Sequence, residues 1–525
     1  MISLSQSKTK RLVAIHGWSG TVLGLLLYVV IFTGAVAVFE REISVWSQGG
    51  TQYSEGIGRK IDRLFRQHAK EIDRKYYEEI FIARNRSGDF RFSFQTHEKN
   101  PATDTLEDKA VILTIDEETE QVVSRWEGFL SERAPDRGDT LSRFFVDIHV
   151  QLHLPNPYGL ILVGILGLMM MAAAISGILI HRHLIKEMFL PVRPRKSMVS
   201  ARDLHNLAGT WGIPFAILLA FTGVFFSFAT TLGVPIMAMV AFGGDQQALI
   251  ESVQGTAKVL DKTPASLASL DYIIKDAINR TEGAYVTFIG IQHYDTMAAT
   301  VRVNMATIDG QLSGNVFGYE GVSREFTGEK PLLGQVPSLG SSLIGIIAPL
   351  HFGSFAGIAS KTVWLGLGLA MAFVSATGML LWTKRREDQA IWREFHKWIY
   401  VVIWGLPVAM MVSAYAFFLT LPAGDPGWWV PASFVIASLV IIGACLMKPF
   451  QEDAFRRLTG IMAVGLPLLR HLTGGTSWSE SILTQGQGVI IAIDVVLLAL
   501  GLILLCWKQI KQSSRTMSAQ PEPAE

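Results

Sequence analysis

The chain has 525 residues, half of them hydrophobic, with 17% charged and a mean hydropathy of +0.33, which is too apolar for an ordinary soluble enzyme. Forty-six Lys and Arg against 45 Asp and Glu leave a formal net charge of +1, so the global basic bias of a nucleic-acid binder is absent. The two cysteines, Cys445 and Cys506, both lie in apolar runs, which excludes a disulfide framework and a CxxC site.

In chain order, apolar runs of about twenty residues predict eight transmembrane spans, near 13–39, 157–181, 204–231, 357–383, 396–420, 429–447, 458–473 and 487–507. The first is too long for a signal-peptide core and no small-residue cleavage site follows it, so it reads as an uncleaved span. The polar segment after it carries a helical charge pattern over Ile61 to Tyr77 and strand-like runs at 90–94 and 111–115. A second polar segment repeats this order, with a helix over Ser266 to Asn279 and strands at 285–289 and 300–304. Lys8, Lys10 and Arg11 precede span one, and Arg182, Lys186, Arg193, Arg195, Lys196 and Arg202 fill the loop between spans two and three. Lys384, Arg385 and Arg386 follow span four, Lys448, Arg456 and Arg457 span six, and Lys508, Lys511 and Arg515 span eight. The positive-inside rule then places both termini in the cytoplasm and both polar segments outside. The expected layout is 1–39 (N-terminus and span one), 40–148 (first outer domain), 149–231 (spans two and three with the basic loop), 232–350 (second outer domain), 351–420 (spans four and five) and 421–525 (spans six to eight and the C-terminus).

Histidines mark this layout as a tandem repeat. His16 precedes Gly20 by four residues and Thr33-Gly34 by seventeen, and His205 stands in the same relation to Gly209 and Thr222-Gly223. An imidazole at matching depth in two membrane helices is costly to place, and the simplest thing such a pair shares is a metal, with haem iron the leading candidate. Each repeat returns through the membrane with a further histidine: His351 lies 27 residues before Gly378, and His149 lies 28 before Gly177, with His153 a competitor. His181, His183 and His396 gather at the same side as His16 and His205, and His396-Lys-Trp398 starts a third, worn copy. His153 and His181 are 28 residues apart, roughly 42 Å along a straight helix against a hydrocarbon core of about 30 Å, so they belong to opposite interfaces. One iron near each face is therefore expected, the favoured inner pair being His16 with His205 and the outer His351 with His149 or His153, while His181, His183 and His396 compete with the inner pair for one haem or supply a second. His68, His97 and His293 read as ordinary residues of the polar segments, Met169 to Met171 as packing bulk, the helix-end tryptophans as an aromatic belt and the Thr-Gly pairs as packing or kink marks.

These motifs, His16-Gly-Trp with Phe32-Thr-Gly34, Asp147-Ile-His149 with Leu152-His153-Leu-Pro155, Ser176-Gly177 leading to His181, Asp203-Leu-His205 with Phe221-Thr-Gly223, and Leu350-His351-Phe-Gly with Thr377-Gly378 and Trp382-Thr-Lys-Arg-Arg386, cover residues 10 to 390. In that order the chain resembles the PepSY-associated transmembrane proteins, often described as iron-regulated inner-membrane proteins. The resemblance implies a polytopic α-helical membrane protein of about eight spans with two small α+β PepSY-like periplasmic domains. From members similar to ferric-siderophore reductases it implies b-type haem, two or more, between the helices. The expected function is a membrane ferric (siderophore) reductase that passes electrons from a cytoplasmic reductant or quinol to a ferric siderophore or other periplasmic electron acceptor. A quinol-linked cytochrome serving another periplasmic partner, its quinone housed in the spans after residue 390, and a haem-free protein that binds or inhibits periplasmic proteins stand as alternatives. No GxGxxG follows a strand, so a built-in nicotinamide or flavin domain is not expected.

Overall fold

A computed structural model of the protein describes residues 5–48, 56–58, 60–85, 88–102, 105–133, 136–181, 188–189, 193, 197–245, 248–249, 261–281, 284–307, 312, 314–331, 338–448, 450–483 and 487–517. The chain order is α1 (Gln6–Thr21), α2 (Gly24–Ala37), α3 (Glu40–Gln48), α4 (Ile61–Ala69), β1 (Glu79–Arg84), β2 (Phe90–Asn100), β3 (Thr105–Ile115), β4 (Val122–Phe129), α5 (Thr140–Gln151), α6 (Tyr158–Ile180), α7 (Ser197–Phe228) and α8 (Val234–Phe242). It continues with α9 (Leu270–Asn279), β5 (Val286–Gln292), β6 (Thr300–Met305), β7 (Val316–Glu320), β8 (Phe326–Glu329), α10 (Leu339–Phe352), α11 (Gly357–Lys384), α12 (Ala390–Thr420), α13 (Pro426–Met447), α14 (Glu452–Leu472), α15 (Trp478–Leu483) and α16 (Gly488–Met517). Two compact units result: residues 1–49, 135–228 and 363–525, and residues 50–134 and 229–362.

The first unit is helical. Among the described residues six helices are long and apolar enough to cross a membrane: Tyr158–Ile180, Met198–Phe228, Gly357–Lys384, Ala390–Thr420, Pro426–Met447 and Gly488–Lys508. A seventh span is formed if α1 and α2 count as one, although they meet at 64° where Leu23 adopts φ +58°. The protein is thus a multi-pass membrane protein. The helix over the expected span at 458–473 does not qualify by composition. It is α14, which holds Arg456 and Arg470 at 3% and 1% exposure, so its polar groups are met by protein rather than lipid. Arg470 pairs with Asp494 of α16 at 2.8 Å, both 1% exposed, and donates to the Thr476 carbonyl at 2.9 Å. The carboxylate also accepts from the indole N–H of Trp46 at 2.7 Å and of Trp478 at 2.9 Å. Such a pair offsets its desolvation only when nearly all its donors and acceptors are matched, and here the network fastens α14 and α16 to α3.

The second unit is built on one eight-stranded antiparallel sheet in the order β4-β3-β2-β1-β5-β6-β7-β8. The two polar segments, expected as separate small domains, each contribute a four-stranded half. They join where β1 pairs with β5, Ile80 opposite Ile291 and Ile82 opposite Ile289. Alternation sends Ile80, Ile82, Phe92, Phe94, Ile289, Ile291, Val301 and Val303 to one face, where all are at most 1% exposed. The apolar stripes of α4 (Ile61, Leu64, Phe65) and α9 (Leu270, Ile273, Ile274) contribute to the same core. Their N-termini cap each other: Asp62 accepts from the Leu270 amide at 3.0 Å, and Asp271 accepts from the Lys60 and Asp62 amides at 2.9 and 3.2 Å.

Arg470→Ala strands the Asp494 charge and is expected to cost about 3–5 kcal/mol, read as a fall in melting temperature in detergent. Arg470→Leu combined with Asp494→Leu should recover most of that loss, and an unchanged midpoint for Arg470→Ala would contradict the buried pair.

Candidate functional site

Three of the singled-out histidines meet the same local structure on another helix. The His16 Nδ1–H of α1 donates to the Ala173 carbonyl of α6 at 2.9 Å, with the Ser176 hydroxyl at 3.4 Å. The His205 Nδ1–H of α7 donates to the Val374 carbonyl of α11 at 3.0 Å, with Thr377 Oγ1 at 3.1 Å. The His149 Nδ1–H of α5 donates to the Val30 carbonyl of α2 at 2.8 Å. In each case the accepting carbonyl lies three residues before a Ser or Thr and four before a Gly: Ser176-Gly177, Thr377-Gly378 and Thr33-Gly34.

The pattern follows from the hydrogen-bond demands of a helix in apolar surroundings. A helical carbonyl has a second lone pair beyond its ladder bond, and the ring uses it. The Ser or Thr hydroxyl satisfies itself by donating back one turn, from Thr33 to Val29, Ser176 to Ala172 and Thr377 to Phe373 at 2.7, 2.6 and 2.7 Å. Glycine leaves room for the ring: a Cβ at Gly34, Gly378 or Gly177 would lie 2.6, 3.1 or 3.4 Å from the Cε1 of His149, His205 or His16. Thr222-Gly223 of α7 makes the same back-bond, to Leu218 at 2.8 Å.

Donation at Nδ1 makes Nε2 the unprotonated, ligand-ready nitrogen of a neutral ring. The His16 and His205 rings lie 6.3 Å apart between centroids, with planes at 76°. Two imidazoles sharing one metal at about 2 Å per bond have ring centres about 6 Å apart. Among the described residues no three His, Cys, Asp or Glu side chains come together as a metal site.

The remaining candidates are placed differently. His153 follows Leu152 into left-handed backbone at φ +53°, its Nε2–H donates to the Phe144 carbonyl at 3.0 Å and its ring stacks on Phe144 at 4.5 Å. Of the two alternatives on that stretch, His149 is the one held in a Thr-Gly slot. The His396 Nδ1–H donates to Thr383 Oγ1 at 2.7 Å, but Lys384 follows where the other slots have glycine. His181 caps the end of α6, half-buried. His351 belongs to the second unit, on the last turn of α10. His183, Arg182, Lys186, Arg195 and Lys196 lie outside the described residues. Beside His16, Trp18, Trp382 and Trp392 form an edge-to-face group with centroids 5.5 to 6.4 Å apart, and the Arg386 guanidinium sits 3.5 Å above Trp382. Sequence reasoning had Trp18 and Trp382 only as a belt, and the Thr-Gly pairs only as packing or kink marks. The repeat of the pairs was the available signal, but what they receive comes from up to 169 residues away.

A multi-pass membrane helix bundle with carbonyl-anchored histidines is the class of protein these features define. The family model for the PepSY-associated TM region matches residues 13–385, and the chain belongs to that family. It is also 26% identical over 255 residues to an uncharacterized protein of Pseudomonas aeruginosa, a match covering 46% of this chain and 63% of that relative. Helices α12 to α16 lie beyond the family match.

Gly34→Leu is expected to displace the His149 ring, since even its Cβ would meet Cε1 at 2.6 Å, at a cost of about 1–3 kcal/mol. An unchanged melting temperature would show that the ring does not occupy the slot.

Proposed function

We propose that the protein is a b-type haem protein of the bacterial inner membrane that passes electrons across the bilayer to a periplasmic acceptor, ferric iron held by a siderophore. The observation that supports this most is the His16 and His205 pair, 6.3 Å between ring centroids and with both Nδ1–H groups already donated to Ala173 and Val374. The residues fit the group: two neutral imidazoles aligned by their outer partners, with glycines beside both rings. Bound there, haem supplies a one-electron ferric/ferrous couple, and two axial imidazoles suit electron transfer better than oxygen chemistry.

The chain's own residues do the rest. The Ala173 and Val374 carbonyls fix each ring's tautomer and strengthen Nε2 as a donor. The apolar faces of α1, α6, α7 and α11 keep water out and lower the dielectric, which tunes the couple. His149, anchored in the same way at Val30, is the proposed ligand of a second haem. His351, its counterpart in the sequence repeat, is proposed as a ligand on that repeat alone. With Lys8, Lys10, Arg11 and Lys384 to Arg386 on the cytoplasmic side, the His16 and His205 ends face the cytoplasm, and the sheet unit is periplasmic. Reduction of siderophore-bound iron weakens its hold on hard oxygen ligands and frees ferrous iron.

Purified protein expressed with adequate haem is expected to show a b-type band in the reduced-minus-oxidised spectrum, and its absence would overturn the reading. His16→Ala or His205→Ala should each remove one haem equivalent and leave the rest; full haem content in His16→Ala would remove the inner assignment. Pre-reduced protein mixed anaerobically with ferric siderophores should reoxidise rapidly, and no reoxidation across a panel of hydroxamate and catecholate complexes would exclude that acceptor.

A further inference from the structure

A cavity of about 300 Å³ lies among α2, α11 and α12, lined by Tyr28, Phe32, Phe373, Ala376, Thr377 and Ile403 among others. We infer that this cavity binds the ring of an isoprenoid quinol, the electron donor of the protein; the inference rests on the haem reading above.

Position, wall chemistry and size together select the ligand. Every lining residue lies inside apolar helices, so the occupant comes from the bilayer. Leu369 and Phe373 line the cavity and are each 41% exposed, which leaves an edge open through which an isoprenoid tail can extend. The volume is at the small end for ligand pockets, enough for a substituted ring and the root of a tail but not for a porphyrin. Tyr28 and Phe32, stacked at 6.0 Å, supply an aromatic wall.

Two of the lining side chains carry hydroxyls. Tyr28 lines the cavity and is 5% exposed, and among the described residues its hydroxyl makes no hydrogen bond, so it is free to donate to a ligand. A quinone oxygen accepts such a bond. The Thr377 hydroxyl donates to Phe373 and accepts from His205 Nδ1–H at 3.1 Å. The cavity therefore shares a residue with the slot that orients His205.

Oxidation of the quinol breaks two O–H bonds and converts it to the quinone. Its two electrons would leave singly, to a one-electron acceptor such as the haem that His16 and His205 would hold. The two protons leave to water, toward the basic Lys384 end, where His396 lies about 10 Å along α12 from the cavity. His396 lies on α12 seven residues before Ile403, on the same face, and bonds Thr383, three residues beyond the lining Leu380. The cavity gives work to α12, whose matching in the family ends before it begins.

The test is equilibrium binding of a decyl-substituted benzoquinone to the full chain in nanodiscs, with haem content measured on the same samples. Wild type should bind saturably. Tyr28→Phe, which keeps the shape, should weaken binding by about five- to tenfold, and Ala376→Leu should abolish it, both with haem content unchanged. Wild-type binding that both variants retain at full strength would overturn the site. Haem lost in Ala376→Leu would overturn it too, because the cavity would then be part of the porphyrin pocket. Quinone binding with the expected variant effects in protein that carries no haem would uphold the cavity while sinking the electron-transfer reading.

Discussion

A buried imidazole in a bilayer has two nitrogens to account for and no water to do it with. This protein settles one of them in a repeated way: the Nδ1–H is given to a helix carbonyl whose neighbours are a self-satisfied hydroxyl and a glycine. That single hydrogen bond fixes the ring's tautomer, its rotation and the separation of the two helices, because the ring reaches the carbonyl only where no Cβ stands in the way. The first span gives His16 to the slot of α6 and receives His149 in its own slot on α2. The two passes are thus locked by reciprocal exchange. In the second copy, α7 gives His205 to α11 and carries the counterpart slot at Thr222-Gly223. On α7 the histidine and the slot glycine are 18 residues apart, about 27 Å of helix and close to one hydrocarbon thickness, so the two lie near opposite ends of that span.

Much of this was legible in the chain. The tandem histidine and Thr-Gly spacing, most of the spans and the strand pattern of the polar segments all depend on local period, which sequence carries directly. What was not legible depends on partners far along the chain. Nothing local tells Ser176-Gly177 that an imidazole from residue 16 will occupy it, and so the pairs read as packing marks. Nor does alternation within β1 reveal that its second neighbour is β5, more than 200 residues on, so two expected domains appear as one sheet. The choice between His149 and His153 turned on where α5 stops: Leu152 and His153 enter left-handed backbone, which turns His153 back onto Phe144 and leaves His149 on the helix face toward α2.

The expected span near 458–473 shows the limit of hydropathy in the other direction. Arg456 and Arg470 lower the apolar score of α14, yet both are buried. A charge is tolerated at such a place only when it is paired: Arg470 donates to Asp494 and the Thr476 carbonyl, and the Trp46 and Trp478 indoles donate to Asp494. Since Trp46 is inside the family-matched region while the other members are beyond it, the polar network is also the joint between the shared core and the helices added to it.

That joint bears on why extra helices are useful to a bundle already able to hold its histidines. The core alone presents the Tyr28 and Phe373 face of α2 and α11 as bare apolar surface. Adding α12 across it, anchored by α14 and α16 to α3, converts a lipid-facing groove into a walled cavity with Ile403 as its third side. The same helix brings His396 to Thr383, one turn beyond the cavity on the side of the basic cluster. A helix added only for bulk would need neither an imidazole there nor a gap beside Ala376, where close packing is the norm for protein interiors.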